Sequence, residues 1–237
     1  MRILVIGLGE VGKAISNVLH ETEHEVFGID KNEKAEGVFD VINICFPYFP
    51  NFVEAVKVYQ EKYLISGLTI IHSTVPIGTS DKLGAVHSPI RGVHPHLEDG
   101  IKTFTKYFGG WRAVEAQEVF SSVILKRVTT TNAKNTEALK LWDTTYYGWN
   151  IIFNKAVKEF CNEHGLDFDL VYTEANNDYN AGYKELGRLE VQRPVLKHME
   201  GQIGGHCVIS NCHILGGGIA EFILSEDAKY AIHRLIE

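Results

Sequence analysis

Short apolar runs alternate with amphipathic stretches through the first half of the chain. Runs of apolar and β-branched residues predict strands at 3–6, 25–30, 38–46, 68–72 and 85–90. The stretches 13–19 and 52–59 carry apolar residues at three- and four-residue spacing, which predicts helices with one buried face. Because strands and helices alternate over about 125 residues, the pattern predicts a doubly wound parallel α/β sheet.

The pattern becomes helical beyond residue 129. Apolar and aromatic residues recur at three- and four-residue spacing between Leu139 and Phe160, and Gly165 follows as a stop signal. This spacing predicts one long helix with a broad aromatic face. Such a face is too apolar to stay in water, so it predicts packing on the rest of the chain, on a partner subunit, or on both. We expect a homodimer.

The segment between the first predicted strand and the first predicted helix carries Gly7, Gly9 and Gly12. Glycines at this spacing allow a tight turn, close approach to a pyrophosphate and close packing of helix on strand. Asp30 ends the second strand about 20 residues further on, where it would accept hydrogen bonds from ribose hydroxyls and repel a 2′-phosphate. The motif predicts a Rossmann domain that binds NAD. The alternative is a glycine turn with a structural role only.

The composition limits which binding partners and which cellular compartment are expected. The 237 residues include 23 Lys and Arg against 30 Asp and Glu, a net charge of −7 that argues against nucleic acid or an acidic membrane as partner. No apolar run reaches the roughly 20 residues of a membrane span, and the N-terminus lacks the charged region of a secretory signal. Four cysteines are too few for a disulfide framework. We therefore expect a cytoplasmic protein with reduced thiols.

Three later segments extend the glycine motif. They are Ser73-Thr74-Val75-Pro76-Ile77-Gly78-Thr79, Glu137-Ala138-Leu139-Lys140-Leu141 and Gly204-Gly205-His206-Cys207. In this order, from residue 1 to about residue 215, the four motifs resemble the UDP-glucose/GDP-mannose dehydrogenase family. The resemblance implies a Rossmann domain, here predicted over 1–128, followed by an all-helical dimerisation and substrate domain over 129–237. That second domain would be similar to the C-terminal domain of 6-phosphogluconate dehydrogenase.

The resemblance also implies a chemistry, in which a nucleotide-sugar alcohol is oxidised twice and two NAD are reduced. Cys207 matches the cysteine that attacks the intermediate aldehyde, and Lys140 matches the lysine that stabilises oxyanion charge. Thr74 matches the turn beside the nicotinamide. The cofactor-binding residues expected from the motif and the resemblance together are Gly7, Leu8, Gly9, Glu10, Val11, Gly12, Asp30, Lys31, Cys45, Phe46, Pro47, Ser73 and Thr74.

Three positions depart from the family's pattern. Thr144 stands where the family has an asparagine, Asn211 where it has an aspartate, and Ile90 where many members have a glutamate. An amide cannot act as a general base and isoleucine has no proton to exchange, so the polar partners of the two-step oxidation have changed. Thr144 and Asn211 nevertheless occupy candidate catalytic positions. The chain is expected to be a short member without room for the family's C-terminal nucleotide-binding domain.

The expected function is an NAD-dependent oxidation of an alcohol on a small sugar-like or hydroxy-acid substrate, with Cys207 and Lys140 on the substrate side. One alternative is a non-catalytic NAD-binding protein. Another is a two-electron hydroxy-acid or prephenate-type dehydrogenase with a histidine base at His94 or His96. Four histidines lie at or after predicted strand ends, where a doubly wound sheet borders its ligand crevice: His72, His87, His94 and His96.

The pairs His206-Cys207 and Cys212-His213 contain four residues of the types that bind zinc. Adjacent side chains along a strand point to opposite faces, so the four groups would not converge on one ion. No metal is therefore expected.

Overall fold

The computed structural model describes residues 1–92, 95–205 and 207–232. The chain divides into two compact units, Met1–Lys140 and Leu141–Glu237. The strand Arg127–Thr130 crosses the predicted domain boundary between residues 128 and 129, and that boundary stays a prediction.

The first unit is built on a sheet that has seven strands within the described residues. They are β1 Arg2–Ile6, β2 Glu25–Ile29, β3 Val41–Ile44, β4 Leu68–Ile71, β5 Val86–His87, β6 Lys106–Gly109 and β7 Arg127–Thr130. Their order is β2-β1-β3-β4-β5-β6-β7, and neighbours are parallel except for β5 and β6. This confirms the predicted doubly wound sheet. Because the chain passes from β2 to β3 on the other side of β1, the ligand crevice of such a sheet lies at the carboxyl ends of β1 and β3.

Helices cover both faces of this sheet. They are α1 Glu10–His20, α2 Phe52–Tyr63, α3 Thr79–Lys82, α4 Leu97–Thr103 and α5 Ala113–Val119. Ile3 and Val5 of β1 belong to the apolar cluster that contains the buried face of α1, whereas Leu4 and Ile6 belong to the cluster that contains α2. Successive residues of β1 therefore enter opposite layers, which explains why its sequence is apolar without a break.

Several predicted boundaries were wrong. The strand predicted over 38–46 is shorter, because Phe39 donates its N–H to the Tyr63 carbonyl and the Asp40 carboxylate accepts the Arg2 N–H at 2.7 Å. The strand predicted over 85–90 is reduced to β5, whose residues are paired on both sides. Helix α2 continues beyond residue 59 to Tyr63, whose side chain is buried in the core. Helices α3, α4 and α5 and strands β6 and β7 were missed.

The second unit is helical. Helix α6, Ala133–His164, belongs to this unit from Leu141 onwards. It is the long helix predicted to stop near Gly165, and it is followed by a π-helical turn at Asp169–Glu174. Helices α7 Ala175–Glu185, α8 Cys207–Leu215 and α9 Gly218–Ile232 complete the unit. Its larger apolar cluster is formed by Ile152, Ile203, Val208, Cys212, Ala220 and Ile223. Within the described residues, no helix combines the length and the apolar character needed to cross a bilayer.

Candidate functional site

The glycine loop is pressed against the end of β3. Gly7 has a φ of +94°, and a Cβ placed on it would lie 2.8 Å from the Phe46 amide nitrogen. A Cβ on Gly12 would overlap the carbonyl oxygen of Gly7 and lie 3.3 Å from the Cys45 Cβ. Both positions therefore require glycine, because the chain turns sharply and the first helical turn packs directly on the strand end.

Gly9 differs from the other two glycines. A Cβ on Gly9 would meet no atom within 4 Å, and its φ of −67° is open to any L-residue. Gly9 is the N-cap of α1, and no side chain caps that helix end. The loop thus leaves space beside the N–H groups of the first turn, which is the arrangement that binds a phosphate group.

The remaining predicted residues of this loop have unequal roles. Leu8 and Val11 are partly buried against the apolar core, so their side chains hold the loop in place. Glu10 is exposed on the first turn of α1. The Cys45 thiol is buried, and burial raises its pKa well above the ordinary value. Cys45 can therefore offer only its backbone to a ligand.

A cleft of about 560 Å³ opens beside the loop. It is lined by Gly7, Asp30, Lys31, Phe46, Pro47 and Tyr59, among others. The Phe46 ring lies 5.1 Å from the Phe52 ring and 6.0 Å from the Tyr59 ring, so one wall is aromatic. Flat apolar walls suit a planar base. Sequence reasoning missed Tyr59, although it lies on the same face of α2 as the buried Phe52 and Val56.

The end of β2 makes the rim of this cleft acidic. Asp30 is exposed, and its Oδ1 accepts the Lys31 N–H at 2.8 Å. The Glu33 carboxylate accepts the Asp30 N–H at 2.8 Å. Two carboxylates at one turn favour hydroxyl donors and oppose a phosphate.

The turn after β4 is tied to both sides of the site. The Ser73 hydroxyl donates to the Phe46 carbonyl at 2.6 Å, which joins the ends of β4 and β3. Thr74, next to it, is half-buried. Further along, the buried carboxylate of Glu137 on α6 accepts the N–H of Gly78 at 2.5 Å and of Ser80 at 2.8 Å. Glu137 was part of a recognised motif, but sequence reasoning gave it no role.

Lys140 follows Glu137 by one turn of α6. Its ammonium donates to the Ile90 carbonyl at 2.9 Å, and its side chain is half-buried. The structure therefore fixes the lysine on the backbone of residue 90, the position at which the resemblance expects a glutamate in many members.

Two of the four histidines at the predicted strand ends, His72 and His87, are buried. The His72 ring contacts the Ser88 carbonyl at 2.7 Å and the Asn43 side chain at 2.9 Å, and the His87 ring contacts Thr136 and the Ser73 carbonyl. Burial lowers the pKa of both, to about 3 for His87. They are neutral structural groups. His96 is exposed, and His94 lies outside the described residues.

Lys106 is a buried lysine in the first unit, which its residue type did not predict. Its side chain is buried, with the ammonium 5.5 Å from the Phe108 ring and 5.4 Å from the Phe120 ring, and burial lowers its pKa to about 7. The Ser88 carbonyl accepts its weak hydrogen bond at 3.4 Å. In the unfolded chain Lys106 keeps its proton up to the ordinary lysine pKa, whereas in the folded protein it loses the proton at about pH 7. Burial of Lys106 therefore destabilises the fold most at and below neutral pH.

We expect Lys106→Met to stabilise the protein at pH 7 by on the order of 2 kcal/mol, because methionine fills similar space without a charge to desolvate. Urea titrations at pH 7 and pH 10 measure the difference. The gain should shrink as pH rises towards the ordinary lysine pKa, where the unfolded chain also loses its proton. A destabilised Lys106→Met variant at pH 7 would contradict this account of the group.

In the second unit, Cys207 is the first residue of α8 and is exposed, whereas Cys161 and Cys212 are buried. Asn211 is buried, and its amide donates to the Thr144 hydroxyl at 2.9 Å. That hydroxyl donates in turn to the Leu141 carbonyl at 3.1 Å. Two of the three departures from the family's pattern are thus joined to each other. Neither side chain has a carboxylate or imidazole to take up a proton.

Cys207, Cys212 and His213 were expected to lie on a strand, and this was wrong, because Cys207–Leu215 is helical. Its apolar residues face the cluster of Ile152 and Ile223 with helical spacing. Over the part of the chain that the structure describes, no group of three or more His, Cys, Asp and Glu is placed to hold a metal ion. His206 lies outside that part.

No protein-family model matches the chain. A UDP-N-acetyl-D-mannosamine dehydrogenase from Methanocaldococcus jannaschii is 25% identical over an alignment that covers 87% of this chain and 59% of that protein. The solved structure of a UDP-D-ManNAc dehydrogenase from Pyrococcus horikoshii aligns with a TM-score of 0.79 and 18% identity, over 97% of this chain and 69% of that one. The resemblance to the UDP-glucose/GDP-mannose dehydrogenase family is confirmed.

The chain spans about 59% of the length of that Methanocaldococcus relative. Another solved structure and this chain align over nearly the whole length of both. The solved 3-hydroxyisobutyrate dehydrogenase of Mycobacterium tuberculosis aligns with a TM-score of 0.67 and 16% identity, over 98% of this chain and 94% of that one. The fold of a Rossmann domain followed by a helical domain is therefore common to UDP-sugar dehydrogenase-like and hydroxy-acid dehydrogenase structures.

Proposed function

We propose that this chain is an NAD-dependent oxidoreductase that oxidises an alcohol of a sugar-like or hydroxy-acid substrate. One observation carries the proposal. The glycine loop after β1 requires glycine at positions 7 and 12, leaves open space at Gly9, and borders an aromatic cleft that ends at the exposed Asp30.

The residues of the first unit fit the parts of a dinucleotide. The backbone of Gly9 and the first turn of α1 would hold the pyrophosphate, and Asp30 would accept hydrogen bonds from the adenosine ribose. The aromatic wall with Phe46 and Tyr59 would cover the adenine. Ser73 and Thr74, tied to the end of β3, would border the nicotinamide. When bound, NAD supplies the acceptor for the hydride that leaves the alcohol carbon.

The chain's own residues would prepare the substrate. Lys140 is a compact cation whose position is set by the Ile90 carbonyl, and such a cation stabilises negative charge that develops on an alcohol oxygen. We propose that Cys207 lines the substrate side in the second unit, where its thiol is exposed. Thr144 and Asn211 orient one another through their hydrogen bond and hold no proton-accepting group.

This pair favours a single oxidation. The second step that the resemblance implies ends in hydrolysis, which needs a base to activate water. An amide and a hydroxyl offer none near neutral pH. The near-complete coverage of a hydroxy-acid dehydrogenase structure supports a second candidate, oxidation of a small hydroxy acid.

A substrate panel with NAD tests the proposed function. We expect NADH formation, followed at 340 nm, with UDP-N-acetyl-D-mannosamine, UDP-glucose or 3-hydroxyisobutyrate, and one NADH per product molecule. Two NADH per product, with the second lost in Cys207→Ser, would contradict the single oxidation and restore the two-step chemistry. NADH binding without turnover on any alcohol would favour a non-catalytic NAD-binding protein.

We further propose a homodimer. Helix α6 carries six aromatic side chains with exposed fractions of 39–58%: Trp142, Tyr146, Tyr147, Trp149, Phe153 and Phe160. An apolar surface of this kind is typical of a subunit interface.

A further inference from the structure

Residues 192–205 form a segment without regular secondary structure that precedes Cys207 in the chain, and this segment is called the strap below. Side chains from the neighbouring helices hold its backbone. Lys155 on α6 is only 2% exposed, and its ammonium donates to the Met199 carbonyl at 2.7 Å and the Gly201 carbonyl at 2.5 Å. A buried lysine that binds two backbone oxygens fixes this part of the strap.

A buried carboxylate fixes the strap on the other side of Gly201. Asp227 on α9 is 4% exposed, and its Oδ1 accepts the Ile203 N–H at 2.6 Å. Its Oδ2 accepts a weaker bond from the Gln202 side chain at 3.4 Å. The Ile203 side chain lies in the apolar cluster of this unit, so its backbone and its side chain are both held.

These charges act on the strap and not only on each other. Burial lowers the pKa of Lys155, while Asp227, Glu200 and Glu159 oppose the shift. The Tyr230 ring lies 4.5 Å from the ammonium and gives it a cation–π contact. Removing a charge from water is unfavourable, so a buried lysine and aspartate are better explained by the backbone groups they satisfy than by net stability.

We propose that Lys155 and Asp227 are positioning residues for Cys207. Together they hold residues 199–203 and so set where Gly204, Gly205 and the first turn of α8 begin. They act through the strap and not by contact with the substrate. The inference rests on the proposed function in one respect, that Cys207 lies on the substrate side.

Alkylation of Cys207 by iodoacetamide at a fixed pH tests the proposal on the full chain. Cys45, Cys161 and Cys212 are buried in the fold, so the fast phase reports Cys207, and Cys207→Ser supplies the blank. Negative charge near a helix N-terminus is favoured by the N–H groups of the first turn, and Cys207 is the first residue of α8. We expect Lys155→Met to fray this turn and slow alkylation by about two- to fivefold.

Rescue distinguishes positioning from general stability. Lys155→Arg keeps the charge and the donors and should return the rate to that of the parent protein. Lys184→Met removes an exposed lysine of α7 and should leave the rate unchanged. In Asp227→Ala, which replaces Lys155→Met if that variant does not fold, the Ile203 amide should exchange its hydrogen at least about tenfold faster, since it has lost its acceptor.

A rate that is unchanged or faster in both Lys155→Met and Asp227→Ala, or that arginine does not restore, would overturn the proposal. The assay needs neither NAD nor substrate. Failure of the chain to turn over any alcohol would therefore count against the proposed function alone, and the alkylation result would stand by itself.

Discussion

Gly9→Val is expected to raise the dissociation constant for NADH at least about 100-fold while the protein stays folded. The valine side chain has room in the free protein, since nothing lies within 4 Å of a Cβ at this position. It would fill the space proposed for the pyrophosphate and block the N–H groups of α1. Valine is a poorer N-cap than glycine, so the free energy of unfolding should fall by no more than about 1 kcal/mol. Calorimetry with NADH and a urea titration measure the two effects.

Gly12→Ala is the matched control for that variant. Its methyl group would overlap the Gly7 carbonyl oxygen, so the loop and α1 must move apart. We expect a loss of about 3 kcal/mol in the free energy of unfolding. If Gly9→Val bound NADH as the parent does, the space at Gly9 would have no part in cofactor binding. If Gly12→Ala were as stable as the parent, the close contact between Gly12 and the Gly7 carbonyl would be contradicted.

The second large effect is expected at Glu137. Its buried carboxylate accepts the N–H groups of Gly78 and Ser80, and Glu137→Ala would leave both without an acceptor. Each unsatisfied buried donor costs about 1–3 kcal/mol, so we expect a total loss of about 4 kcal/mol in a urea titration. The turn at residues 73–79 should loosen with it, and NADH affinity should fall.

Glu137→Gln separates the hydrogen bonds from the packing. Glutamine has nearly the same shape, but its amide group presents N–H to one of the two backbone donors. The loss should therefore be about half that of the alanine variant. Equal stability of Glu137→Ala and the parent would show that these N–H groups find other acceptors, and Glu137 would not anchor the turn.

The sequence predicted the layout of the first unit because the strands of a parallel sheet are buried on both faces. Ile3 to Ile6 is apolar at every position for this reason, and the glycine motif marks the end of the strand. Strand β6 gave no such signal. It has four residues, and it begins with a buried lysine, a residue type that normally marks an exposed position.

Parts of the candidate site follow from local chemistry and parts do not. Gly7, Gly12 and Asp30 occupy the positions that the motif requires. Glu137 and Ser73 act through backbone groups of distant segments, and no spacing in the sequence encodes those contacts. The same limit applies to His72 and His87, whose burial depends on how β4 and β5 are covered. The pairing of Thr144 with Asn211 joins positions 67 residues apart.

The most direct test of the account is a titration of the purified protein with NADH and then NADPH, followed by calorimetry. We expect saturable binding of one NADH per chain and weaker binding of NADPH, because Asp30 and Glu33 oppose a 2′-phosphate. In Asp30→Ala, NADH binding should weaken and the preference over NADPH should decrease. No binding of either dinucleotide by the parent protein would contradict the proposed NAD site and, with it, the proposed dehydrogenase.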